Sequence, residues 1–156
     1  MSKAKDAIGQ ILYLGSVILG VIALFLPALR VSFTVNADDS ILDLSSLNQE
    51  VVSSMFSANK LMGASFIVVA LVSLFFMFIK FNKLAIFAFP VYSVIEVLVI
   101  LNNSASMNET MGMTLNSMDF AFNVEVLYGV YLFGVAALMA LVSAVLTIMQ
   151  YNRYYN

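Results

Sequence analysis

The sequence predicts an all-α transmembrane protein: a four-helix membrane bundle with a small extracellular α/β cap of short antiparallel strands and one amphipathic helix. Three observations carry this. The chain of 156 residues is 62% hydrophobic and only 10% charged, whereas soluble domains run near 45–50% apolar and ~25% charged. Four apolar stretches reach the ~20 residues that cross a ~30 Å hydrocarbon core at 1.5 Å per residue. The few charges are sorted by loop rather than scattered.

The spans run from about Ile8 to Leu29, Leu61 to Ile79, Leu84 to Leu101 and Leu127 to Met149, and the chain reads as a single four-span membrane domain over 1–156. Lys3 and Lys5 precede the first stretch as they would in a signal peptide. That stretch is too long for a signal core, however, and no A-x-A-like site follows it, so it reads as a retained span. An even number of spans puts both termini on one side. Lys3, Lys5, Lys80, Lys83 and Arg153 fall on that side. The opposite side has only Arg30 and Lys60 and carries Asp38, Asp39, Asp43, Glu50, Glu109, Asp119 and Glu125. Cytoplasmic loops collect lysine and arginine. The termini and the "KFNK" turn are therefore expected in the cytoplasm, and the loops 30–60 and 102–126 outside.

Both outer loops carry strand patterns. Val31, Phe33 and Val35 alternate with Ser32, Thr34 and Asn36, and Phe120, Phe122 and Val124 alternate with Ala121 and Asn123. This is the period of two that puts one set of side chains on one face. The two segments are expected to pair. A two-stranded sheet is marginal alone, so a cover is needed. Leu47, Val51 and Met55, flanked by Val52 and Phe56, recur at helical spacing, and Ser46 with Gln49 fits a capping box. An amphipathic helix over 46–57 is expected to lie on the sheet or on the headgroups. A strand edge left unpaired would offer a docking site.

Helices in lipid associate by close van der Waals approach, which small residues permit. Ser16 and Gly20 mark such a face on the first span, and Ala136, Ala140 and Ala144 mark one on the fourth. These faces are expected to pack within the bundle. Pairing two copies into a homo-oligomer is the alternative.

Glu96 is the only acid inside a span. Six residues separate it from Asn102, which puts it ~9 Å below the expected outer end of the third span. A carboxylate inside hydrocarbon is costly and marks a candidate functional site, with its partner to be named. Three readings stand: an ion pair with Lys60 or Arg30 that ties bundle to cap; proton or cation handling along a polar path through Tyr92 and Ser93; or recognition of a basic group on a partner, lipid or ligand. Pro90, in the same span, frees a backbone carbonyl and bends helices near polar sites.

Other chemistry is sparse. The chain has neither Cys nor His, which excludes disulfides, zinc sites of the usual kinds and Cys- or His-based catalysis. No Gly-rich phosphate loop and no basic nucleic-acid footprint is present, so neither an enzyme nor a nucleic-acid binder is expected, and no cofactor. Met107, Met111, Met113 and Met118 crowd one loop. Thioethers favour Cu(I), but flexible methionines forming an adaptable contact patch is the plainer reading. Asn102 and Asn108 match the glycosylation pattern, but such short matches arise by chance in an Asn-rich loop.

In layout, with a long first outer loop, a shorter second one and strands flanking the spans, the chain resembles claudin-type four-span proteins. It lacks their tryptophan motif and cysteine pair. Its "LFLPALRVSFTV" is more similar to the end of the first span in small bacterial four-span proteins. The resemblance implies one outer sheet and carries over no functional residue. The expected role is non-enzymatic: binding another membrane or envelope protein at a bacterial plasma membrane, as an accessory subunit, inhibitor or immunity-type protein. The alternative is a small proton- or cation-coupled transporter or channel that uses Glu96.

Overall fold

The computed structural model describes residues 2–35, 49–79, 85–115 and 120–155. Four long helices dominate: α1 (Ser2–Phe25), α3 (Lys60–Ile79), α4 (Ala88–Leu115) and α5 (Tyr128–Tyr155). At one end of the bundle lies a sheet of β1 (Pro27–Val35), β2 (Gln49–Ser54) and β3 (Phe120–Val126), ordered β2-β1-β3 and antiparallel throughout. The one-turn helix α2 (Met55–Ala58) links β2 to α3. Four helical segments are long and apolar enough to cross a membrane: Ile8–Phe25 in α1, Lys60–Ile79 in α3, Ala85–Met111 in α4 and the 3-10 turn before it, and Tyr128–Met149 in α5. The "KFNK" turn lies outside the described residues.

The first span ends earlier than its hydropathy suggests. Helix α1 stops at Phe25, and β1 has begun by Pro27, because proline lacks the N–H that a continuing helix needs. Val31 faces Val124, Phe33 faces Phe122 and Val35 faces Phe120, so the two predicted segments do pair. The helix expected over 46–57 is a correction: Gln49–Ser54 form β2, and 46–48 lie outside the described residues. Val51 and Val52 are β-branched and suit a pleated ladder, and β1 offers them its second edge, with Val31 opposite Val51. The capping box sits eight residues later than expected. Ser57 N–H donates to Ser54 Oγ at 3.1 Å, and Ser54 N–H donates to Ser57 Oγ at 2.8 Å, starting α2.

The third span overruns its predicted end at Leu101. Helix α4 continues to Leu115, which makes it ~42 Å long at 1.5 Å per residue. The Asn- and Ser-rich run beyond Leu101 has modest helix propensity, but tertiary contacts hold it, because α4 lies along β3. Asn108 Nδ2 donates to Val124 O at 2.8 Å, and Val124 N–H donates to Asn108 Oδ1 at 2.6 Å. One amide side chain thus stands in for a neighbouring strand at the outer edge of β3.

The core forms where α1, α3, α4 and α5 meet. Phe66, Phe89 and Phe133 are fully buried, with centroid separations of 5.2 Å (Phe66–Phe89) and 4.7 Å (Phe66–Phe133). A Cβ on Gly20 would lie 3.2 Å from Phe89 Cζ and 3.3 Å from Phe66 Cζ. Gly20 is therefore where α1 gives the aromatic rings room. Ser16, Ala136, Ala140 and Ala144 are buried as well, on the faces by which α1 and α5 pack closely. Ser143 Oγ donates to Gly9 O and joins the same two helices toward the end away from the sheet.

Pro90 falls in the first turn of α4, after a 3-10 turn over Ala85–Phe87, rather than in mid-helix. There its missing N–H is least disruptive. The carbonyl it leaves free is that of Ile86, and Tyr13 Oη donates to this oxygen at 2.8 Å. Phe89 N–H, an orphan of the same helix start, donates to Ser73 Oγ at 3.2 Å. Side chains of α1 and α3 thus complete the start of α4.

Candidate functional site

Glu96 sits where the bundle meets the sheet. Its neighbours are the last turn of α1 (Leu24), the start of β1 (Leu29), Met55 and Ala58 of α2, and the first turn of α3 (Met62, Gly63), with Asn59 between α2 and α3. Together with Ile100 of α4, these residues line a partly open cavity of about 60 Å³. Glu96 is the only ionisable residue in that lining. The helix turn that carries it is level with the ends of α1 and α3. Helix α4 runs on past that level to Leu115.

The side chain is only 3% exposed, and its Oε1 has no hydrogen-bond partner among the described residues. The Tyr92 hydroxyl, one turn earlier, is the polar group that interacts with the carboxyl. That hydroxyl also lies 2.6 Å from Ser65 Oγ, and Ser65 Oγ donates to Met62 O at 2.8 Å. Two hydroxyl protons must serve this whole chain, so Tyr92 and Ser65 supply Glu96 with at most one donor. A carboxyl has about four acceptor positions, and buried acceptors are normally satisfied. Most of this one's capacity is unused by the protein.

The predicted ion pair with Arg30 does not form. Arg30, on the central strand, reaches across both its neighbours. Its Nη1 donates to Glu125 Oε2 on β3 at 3.1 Å, and its Nε lies 2.9 Å from Glu50 Oε1 on β2, an ion pair without hydrogen-bond alignment. Strand register explains the choice. Glu125 is directly opposite Arg30, and Glu50 lies two residues along β2 from Val52, the residue opposite Arg30 on that side, whereas the Glu96 pocket is lined by Leu29, whose side chain alternation puts on the other face of β1. These side chains are about half exposed, so each pair is worth under about 1 kcal/mol and serves mainly to fix register. Lys60 is exposed and makes no ion pair among the described residues.

The expected polar path breaks up. Ser93 is buried and donates to Phe89 O at 2.8 Å. Below it, Ser73 and Tyr13 are committed to the start of α4. Met107 and Met111 stand exposed on α4, Met113 falls within the same helix, and Met118 lies outside the described residues. Asn108, met in the sequence only as a glycosylation match, is the residue that holds α4 to β3. Its signal was an amide beyond the expected helix end, which no sequence pattern could pair with Val124.

No known protein family matches this chain, and no curated protein does.

Proposed function

We propose that the protein is a multi-pass membrane protein of the bacterial envelope that acts by binding a partner protein, with its termini in the cytoplasm and its sheet outside. Supporting insertion, each helix presents large apolar side chains outward: Ile11 is 66% exposed, Leu71 61%, Leu98 60% and Leu138 62%. Apolar surface on every helix exceeds what water-facing proteins leave bare. The acidic loops fall on the sheet side and most lysines on the other, which supports the orientation.

The observation that carries the binding role is the asymmetry of the sheet edges. The edge of β3 is closed by Asn108. Among the described residues, β2 has β1 on one side and no strand on the other. Because Val124 turns its N–H and C=O toward Asn108, alternation along the ladder directs those of Val31 and Val51 toward each other. It leaves those of Glu50 and Val52 pointing outward. An extended segment of a partner can add there as a fourth strand. The acids that the sequence gathers in the two outer loops favour a basic one.

Val52→Pro tests this. It removes an outward N–H without touching the ladder to β1, a position where an edge strand tolerates proline. Purification from native membranes in mild detergent should return a stoichiometric second protein with the wild type and lose it with Val52→Pro. Recovery of the chain alone from wild-type membranes would refute the role.

A further inference from the structure

We propose that the cavity beneath the sheet is a binding site for a primary ammonium on a short aliphatic stem, with Glu96 as its counter-ion. The cavity has two properties that together select this chemistry. Its walls at Leu24, Leu29, Met62 and Ile100 are aliphatic or thioether and suit a methylene chain. Glu96 is one of its lining residues, is only 3% exposed, and carries a buried Oε1 without a hydrogen-bond partner among the described residues. Ligand sites are typically apolar pockets with a few placed polar groups.

A carboxylate only accepts, so its ligand must donate, and a charged donor binds it about twice as strongly as a neutral one. Among the described residues no cation serves it: Arg30 is held by Glu50 and Glu125, and Lys60 is exposed without an ion pair. About 10–15 Å³ of such volume holds one water, so 60 Å³ accommodates a chain of about four or five non-hydrogen atoms. A bulky or branched head is excluded. Asn59, at the junction of α2 and α3, is the second polar residue of the lining; its Oδ1 accepts from Met62 N–H at 3.1 Å and keeps one further acceptor position for an ammonium proton. A free alkylamine and a lysine side chain both present this chemistry. The size of the cavity favours the free amine.

Full-length protein in a non-ionic detergent is titrated with n-butylammonium by calorimetry, with n-butanol as the uncharged isostere and Nα-acetyl-lysinamide as the lysine surrogate. Saturable binding of n-butylammonium at least tenfold tighter than n-butanol is expected, with at least tenfold loss in Glu96→Gln. Ala58→Leu, which keeps the carboxyl and fills the cavity, should also weaken it. Weaker binding of the lysinamide marks a small-amine site. Equal binding marks one that also reads lysine side chains, and the ammonium assignment stands either way. Equal affinity for n-butylammonium and n-butanol, no saturable binding, or unchanged affinity in folded Glu96→Gln would overturn the proposal.

Discussion

Replacing Glu96 by methionine should make the bundle more stable. The substitution keeps length and approximate volume while removing both carboxyl oxygens. In the native protein Oε1 is buried without a protein partner, and an unsatisfied buried polar atom costs about 1–3 kcal/mol. Against that, the change removes the interaction of the carboxyl with the Tyr92 hydroxyl, worth at most about 0.5–1.5 kcal/mol net. The cavity has room for about four waters, which offset part of the cost from the open side. Taking the lower half of the first range and adding the apolar contact that methionine gains, the expected change is about 1 kcal/mol in favour of Glu96→Met. Unfolding in mixed micelles, followed by circular dichroism over a denaturing-detergent titration, measures it. Glu96→Gln should fall between wild type and Glu96→Met, because its amide remains polar. A loss of more than about 1 kcal/mol for Glu96→Met would mean that Glu96 ties the bundle together through partners it lacks here, as the ion-pair reading required. A destabilising group retained at a cavity is instead the pattern of a binding site, where function is kept at the expense of stability.

Other substitutions test the frame. Asn108→Leu should leave the N–H and C=O of Val124 unpaired and cost about 2–3 kcal/mol, with faster amide exchange confined to β3 and the end of α4. Gly129→Ala places a Cβ 2.6 Å from Pro27 O, a backbone atom that cannot swing away. A loss of about 1–3 kcal/mol is expected, and an unchanged unfolding midpoint would show that α5 and β1 do not approach this closely. Tyr13→Phe should cost about 1–3 kcal/mol, because it strands the Ile86 carbonyl that Pro90 frees; additivity with Pro90→Ala, in place of a smaller combined loss, would contradict that pairing. Reconstituted wild type and Glu96→Gln should both show no proton-linked cation flux, since Ser93, Ser73 and Tyr13 are committed to backbone partners; flux lost in Glu96→Gln would favour a transporter.

What the sequence determined by itself follows from local pattern. Apolar length gave the four long helices, because hydrogen-bonding every backbone group within a segment leaves few other choices for such stretches. A period of two gave β1 and β3, because alternation has a single geometric meaning. The tertiary structure decided what those patterns leave open. Val51 and Val52 fit a helix or a strand, and the free edge of β1 made them β2. The Asn- and Ser-rich run after Leu101 has little helical preference, and β3 holds it in α4 through Asn108. Arg30 was within sequence reach of several acids, and strand register gave it Glu125 and Glu50. Glu96 stood out at once as an acid among apolar residues. Its place in the lining of a cavity, level with the ends of α1 and α3, depends on where three other elements stop, and no count along one helix contains that.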